Sequence, residues 1–200
     1  MNPDPEIRRL LDIMPASGRM LCKLVSKPQQ SQVIASEVPM PWHRVRPISI
    51  NFDLWRELPK PQRDLLLLRT TSFLINVRWF KPDLYQGLTV AGLIGTLVEL
   101  AQGDAIGIVV AGGLTAIAGS QIWRANRTAA REIEADTAAL QIAQRRGYNE
   151  TDAARHLLKA IEAQAAIEGR PGLNFIELIR SQNLRAIAGL SPVGLPKNLV

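Results

Sequence analysis

Hydrolytic or redox chemistry needs a nucleophile, an acid–base pair or a metal centre, and few side chains in this sequence qualify. The 200 residues contain two histidines, His43 and His156, and one thiol, Cys22. A hydrolytic zinc site requires two imidazoles one helical turn apart and a carboxylate placed to deprotonate the metal-bound water. No histidine occurs between positions 44 and 155, so that spacing cannot be met. His43 sits in a Pro- and Arg-rich connection and His156 beside Arg155 on an amphipathic segment, positions typical of surface histidines. Cys22 has no histidine near it in sequence to activate it. The Gly-x-Ser-x-Gly elbow, the phosphate loop and the dinucleotide fingerprint are all missing. These residues predict no catalytic group, no metal and no cofactor.

The charge balance points to binding. Lys and Arg outnumber Asp and Glu by 24 to 18, for a net charge of +6, which suits an anionic partner. Only short basic pairs occur (Arg8-Arg9, Arg145-Arg146), and aromatics make up 5% of the chain, too few for a base-stacking platform. Nucleic acid is therefore not expected. All the Lys and Arg residues lie outside 84–123, where the only acids are Glu99 and Asp104. The single cysteine gives no intramolecular disulfide and fits a reducing compartment. The acidic, proline-broken start, Met1-Asn2-Pro3-Asp4-Pro5-Glu6, does not read as a signal peptide.

The segments that would position these groups are mainly helical. Residues 4–13 form an amphipathic helix stopped by Pro15, and Ser17–Ser26 a second with Met20, Leu21 and Leu24 on one face. Gln32–Glu37 and Arg46–Phe52 read as strands of a small two- or three-stranded sheet. Pro59 and Pro61 suit the first turn of a helix that runs over Gln62–Trp79. Ser120–Arg146 is a long helix followed by Gly147, and Asn149 caps the next. Leu173–Leu184 forms the last. The fold class expected is mainly α, with a small β-sheet in the N-terminal third and a central apolar helical hairpin.

That hairpin comprises Leu84–Gln102 and Ala105–Trp123, with Glu99, Gly103 and Asp104 at its tip. Each arm would be roughly 28 Å long, close to the ~30 Å hydrocarbon core of a bilayer. Trp79, Phe80 and Trp123 resemble an interfacial belt, and eight of the 14 glycines fall between the two ends. The expectation is a transmembrane hairpin dividing the chain into 1–83, 84–123 and 124–200. The basic flanks would both lie on the cytoplasmic side, and the C-terminal helices would pack back on the N-terminal part.

At 131–136 the chain reads Arg-Glu-Ile-Glu-Ala-Asp, continuing through Ala139-Leu140 and Arg146-Gly147-Tyr148 to Ala153-Ala154. This resembles the third-ligand region of HtpX-like zinc metallopeptidases, where a Glu-x-x-Ala-Asp motif supplies a glutamate to zinc. The order of elements over about 46–168 is similar too: a strand region, the His-Glu-x-x-His helix, a helical pair, then the glutamate motif. The resemblance implies a zincin-like fold in which Glu132 stands at the zinc glutamate and Asp136 at the motif's aspartate. Arg69, Thr70 and Phe73 would then stand where the first histidine, the general base and the second histidine belong. Arginine is a permanent cation and cannot ligate zinc, so the implied site is degenerate. Arg69 would pair with Glu132 beside an apolar Phe73 plug.

The chain also resembles an uncharacterised cyanobacterial family. The wording that carries this is Asn2-Pro3-Asp4-Pro5-Glu6-Ile7-Arg8-Arg9-Leu10-Leu11, Ile50-Asn51-Phe52-Asp53-Leu54-Trp55, Gln62–Arg69 and Arg78–Gly87. That likeness implies a cytoplasmic or thylakoid membrane location. Together these readings predict a non-catalytic, membrane-anchored scaffold that serves assembly or quality control of membrane proteins, with the bilayer and one or more membrane proteins as partners. The alternatives are an accessory subunit of a larger photosynthetic membrane complex and a cryptic hydrolase.

Overall fold

A computed structural model describes residues 3–40, 42–77 and 129–190, together with positions 90, 91, 94, 98, 101, 113, 116 and 117. The chain divides into two compact units, one made of Met1–Val77 with Ala129–Val200 and the other of Arg78–Thr128.

The first unit is built around one buried helix. In chain order its elements are α1 (Asp4–Ile13), α2 (Ala16–Leu21), β1 (Cys22–Ser26), β2 (Ile34–Ser36), β3 (Arg46–Ile50), α3 (Phe52–Trp55), α4 (Lys60–Asn76), α5 (Ala129–Gln144), α6 (Glu150–Ile167) and α7 (Phe175–Ile187). Proline opens α1 and α4, where a missing N–H costs nothing. In α4, Leu65, Leu66, Leu67 and Leu68 are all at most 3% exposed. Four consecutive buried positions cover every face of a helix, so α4 is surrounded. It packs most extensively on α5, then on α6, with α1, α2, β2 and β3 completing the shell.

Each later helix is bounded by local chemistry. The Asn149 side chain accepts from the Thr151 N–H at the start of α6. Asn174 and Glu177 form a reciprocal capping box on α7. Gly147 follows α5 at φ +91°, a conformation costly for residues with a Cβ. A polar knot fastens α1 to the start of α4. Asp64 accepts from Arg9 Nη1 at 2.5 Å and from the Tyr148 hydroxyl at 2.9 Å, while Glu6 accepts from Arg9, Arg63 and Trp55 Nε1.

The sheet order is β1-β3-β2, with β1 parallel and β2 antiparallel to the central β3. Ile34 lies opposite Ile50 and Ser36 opposite Ile48, and Ile34, Ile48 and Ile50 are buried against the helices. The Asn51 N–H donates to Val33 O. By alternation, Ala35 turns its backbone toward β3, and Ile34 and Ser36 turn theirs toward the free edge.

Two expectations are corrected here. Ser17–Ser26 is not one helix, because the chain leaves α2 at Leu21 and continues from Cys22 as β1, paired with β3. The spacing of Met20, Leu21 and Leu24 fits a helix locally, but the parallel pairing outweighs it. Moreover, no helix among the described residues is long and apolar enough to cross a membrane. This finding overturns the transmembrane hairpin. It also overturns the placement in a cytoplasmic or thylakoid membrane with both flanks on the cytoplasmic side. The missing Lys and Arg residues are not themselves an insertion drive, and the glycines of 84–123 add little apolar area and weaken a helix. Most of 84–123, including Glu99, Gly103 and Asp104, lies outside the described residues.

Candidate functional site

Four charged side chains meet where α4, α5 and α7 come together. Glu132 and Asp136 stand one turn apart on α5, so both carboxylates face α4. Arg69 of α4 forms an ion pair with Glu132, and its Nε lies 3.7 Å from Asp136 Oδ1. From α7, Arg180 donates to both Asp136 oxygens, Nε to Oδ2 at 2.8 Å and Nη2 to Oδ1 at 2.7 Å. Asp136 is 0% exposed and Arg180 7%, which makes this a desolvated, two-pronged ion pair. The Arg69 guanidinium carbon lies 5.3 Å from the Phe73 ring centroid, a cation–π contact. Burial pushes the Arg69 guanidinium below its ordinary range, and the Arg180 charge adds to this against the pull of Asp136.

The structure thus brings Arg69, Phe73, Glu132 and Asp136 together. Thr70 is buried on the neighbouring face of α4, where its hydroxyl donates to Leu66 O at 2.8 Å. Such a hydroxyl is engaged by its own helix and is a poor base. The sequence reading missed Arg180, which belongs to no motif. Its only signal was a basic residue on the apolar side of the last helix, able to answer a buried acid.

These residues do not fit a zinc ion. Two ligand positions hold a cation and a phenyl ring, and both carboxylates are engaged by arginines. Among the described residues no group of three or more His, Cys, Asp or Glu could hold a metal. The remaining reactive types lie elsewhere. His43 is exposed beside Trp42, with ring centroids 6.2 Å apart, and His156 faces Tyr148 at 6.4 Å. Cys22 is buried, and desolvation pushes its thiol up to about 11, away from the thiolate form that reacts.

Beside the charge cluster is a cavity of about 210 Å³. One wall is the free edge of β2 (Ile34, Ala35, Ser36), and the others come from Arg69 and Thr70 of α4, Gln164 of α6 and Glu177 and Arg180 of α7. Gln32, Gln164 and Glu177 also line a second cavity, of about 350 Å³, bounded by Glu168, Arg170 and Asn174. The two cavities adjoin at these shared residues, and the first alone reaches β2. The rim of the second is stapled: Glu168 accepts from the Val33 N–H at 2.9 Å, and Arg170 grips Glu177 through two nitrogens at 2.7 and 2.9 Å.

A family profile described as "Protein of unknown function (DUF3318)" matches residues 8–148. The match takes in Arg69, Glu132 and Asp136 and stops short of Arg180. No curated protein and no solved structure matches the chain. Neither the likeness to HtpX-like peptidases nor a cyanobacterial origin finds support in these comparisons.

Proposed function

The chain belongs to the DUF3318 family, whose description assigns no activity, and we propose that it is a non-catalytic binding protein whose groove takes an extended segment of a partner polypeptide. One observation carries this reading: a polar cavity opens on the edge of β2 that no described strand pairs, and the charges beside it are already paired with one another. An extended chain laid there meets the free N–H and C=O groups of Ile34 and Ser36, the donors and acceptors a strand addition uses. Arg69 and Arg180 hold Glu132 and Asp136, so neither carboxylate of the cluster is free to activate water.

The order of β3, α4 and the Glu-x-x-Ala-Asp run on α5 supports a finer reading, a zincin-like peptidase fold with salt bridges in place of the metal site. Such a protein would retain a peptide groove without cleavage, which suits a role in assembly or quality control of other proteins.

The test is equilibrium binding of a random pool of fluorescein-labelled octapeptides to the full-length chain, with mass spectrometry of the peptides after overnight incubation. Binding without cleavage is the expected result. Ser36→Pro removes an edge N–H that β3 does not use, and edge strands tolerate proline. This variant should keep its circular dichroism and lose binding. Failure of the pool to bind, or cleaved peptides, overturns the proposal.

A further inference from the structure

Resting on that reading of the groove, we infer that its deeper cavity is a carboxylate subsite, in which Arg69 and Arg180 receive one acidic group of the bound polypeptide.

The charge placement carries the inference. Of the four clustered groups only the two arginines line the cavity, while Glu132 and Asp136 sit behind them. The third charged residue in the wall, Glu177, is gripped by both terminal nitrogens of Arg170 and is largely neutralised. A group entering the cavity therefore faces two cations and the Arg170-held carboxylate of Glu177, while Glu132 and Asp136 are not part of the wall.

A volume of about 210 Å³ admits a side chain or a chain end. The overall excess of positive charge, +6, favours approach of an acidic partner. An aspartate or glutamate side chain and a C-terminal carboxylate present the same chemistry, so the two sources must be separated by experiment.

The probes are fluorescein-labelled octapeptides of alternating Ser and Val, titrated against the full-length chain by fluorescence anisotropy. One pair carries a central Asp or Asn, and a second pair has a neutral interior ending in a free carboxylate or a carboxamide. One acid should bind about tenfold more tightly than its neutral counterpart. An advantage in the first pair identifies a side chain, and in the second a chain end. Arg69→Gln should abolish that advantage. Lys60→Gln and Arg146→Gln, in the separate basic cleft beside α1, should leave it intact. Should Arg69→Gln fail to fold, Glu177→Gln removes the acidic wall group while keeping an amide able to cap α7, and should widen the preference. Equal binding of acid and neutral peptides overturns the carboxylate subsite while the groove stands. A preference unchanged by Arg69→Gln, or not widened by Glu177→Gln, overturns it too. Absence of binding by any peptide sinks both readings.

Discussion

Asp136 lies between two arginines with no access to solvent, so its removal leaves Arg180 buried without its hydrogen-bonded counterion beside Arg69, which keeps Glu132. Asp136→Asn keeps the shape and deletes the charge, and should cost about 3–5 kcal/mol in urea unfolding. Arg69 and Glu132 are 16% and 17% exposed, between the surface and buried limits. Arg69→Ala and Glu132→Ala should therefore each cost about 1–3 kcal/mol, with the double mutant losing less than the sum. Strict additivity would show that the pair does not interact. Acid titration reports on other carboxylates. The hydrogen bond from Arg9 holds Glu6 below its ordinary value of 4.5, against the opposing effect of burial. For Glu177, burial acts upward, but the Arg170 hydrogen bond, the Asn174 N–H and the charges of Arg170 and Arg180 together outweigh it, and the group again ends below 4.5. Carboxyl groups lowered on folding contribute stability that is fully present above 4.5 and lost as pH falls through their folded values. Melting temperature should thus start to fall near pH 4.5, and Glu6→Gln should flatten that fall. A slope unchanged in this variant would remove Glu6 from the account.

Packing of the short α2 depends on one glycine. A Cβ added at Gly18 would come within 2.5 Å of the Thr71 methyl on α4 and 3.3 Å of Met14 Cε. Neither neighbour is a loose surface side chain, since Thr71 and Met14 are both 0% exposed. Gly18→Ala should cost about 1–3 kcal/mol, as overpacking does. Thr71→Ala in the same chain should recover part of that loss, and equal destabilisation with either residue at 71 would argue against the contact. Most elements of the first unit could be read from the sequence because their signals are local. Prolines open α1 and α4, Asn149 and Asn174 cap α6 and α7, and alternating Ile48 and Ile50 mark β3. What could not be read depends on distant partners. Cys22–Ser26 becomes a strand only because β3, more than twenty residues later, lies beside it. Arg180 becomes part of the site only because α7 folds over α5. Its role as counterion needs a contact across 44 residues of sequence that no periodicity announces.

At the scale of the molecule, the first unit is interrupted in sequence after Val77 and resumes at Ala129, at two adjoining helix ends. Arg131, early in α5, donates to Asn76 O at the end of α4 at 3.1 Å. Replacing residues 78–128 by a flexible linker of about eight residues should therefore leave the first unit folded, because short connections suffice between neighbouring antiparallel helices. Circular dichroism and a cooperative thermal melt of the shortened protein check this, and loss of cooperativity would show that the first unit needs its insertion. The sequence suggested a division of the chain near these positions through the abrupt loss of Lys and Arg after 81. It gave the wrong reason, since that loss was read as contact with lipid.

The junction of α4 with α5 also bears on how fast the protein folds. Their packing is the most extensive between any two described elements, yet it joins segments separated by all of residues 78–128. By contrast, α5, α6 and α7 follow one another through short turns and can meet early. The slow event in folding should be closure of the chain across 78–128 while that segment is still unfolded, which brings α5 back to α4 and fixes Arg131 at Asn76. Shortening that segment to about eight residues lowers the entropic barrier by about 1.6 kcal/mol. That corresponds to refolding more than tenfold faster, while the unfolding rate, set by contacts already made, stays nearly unchanged. A chevron plot of the two proteins should then differ in its left arm alone.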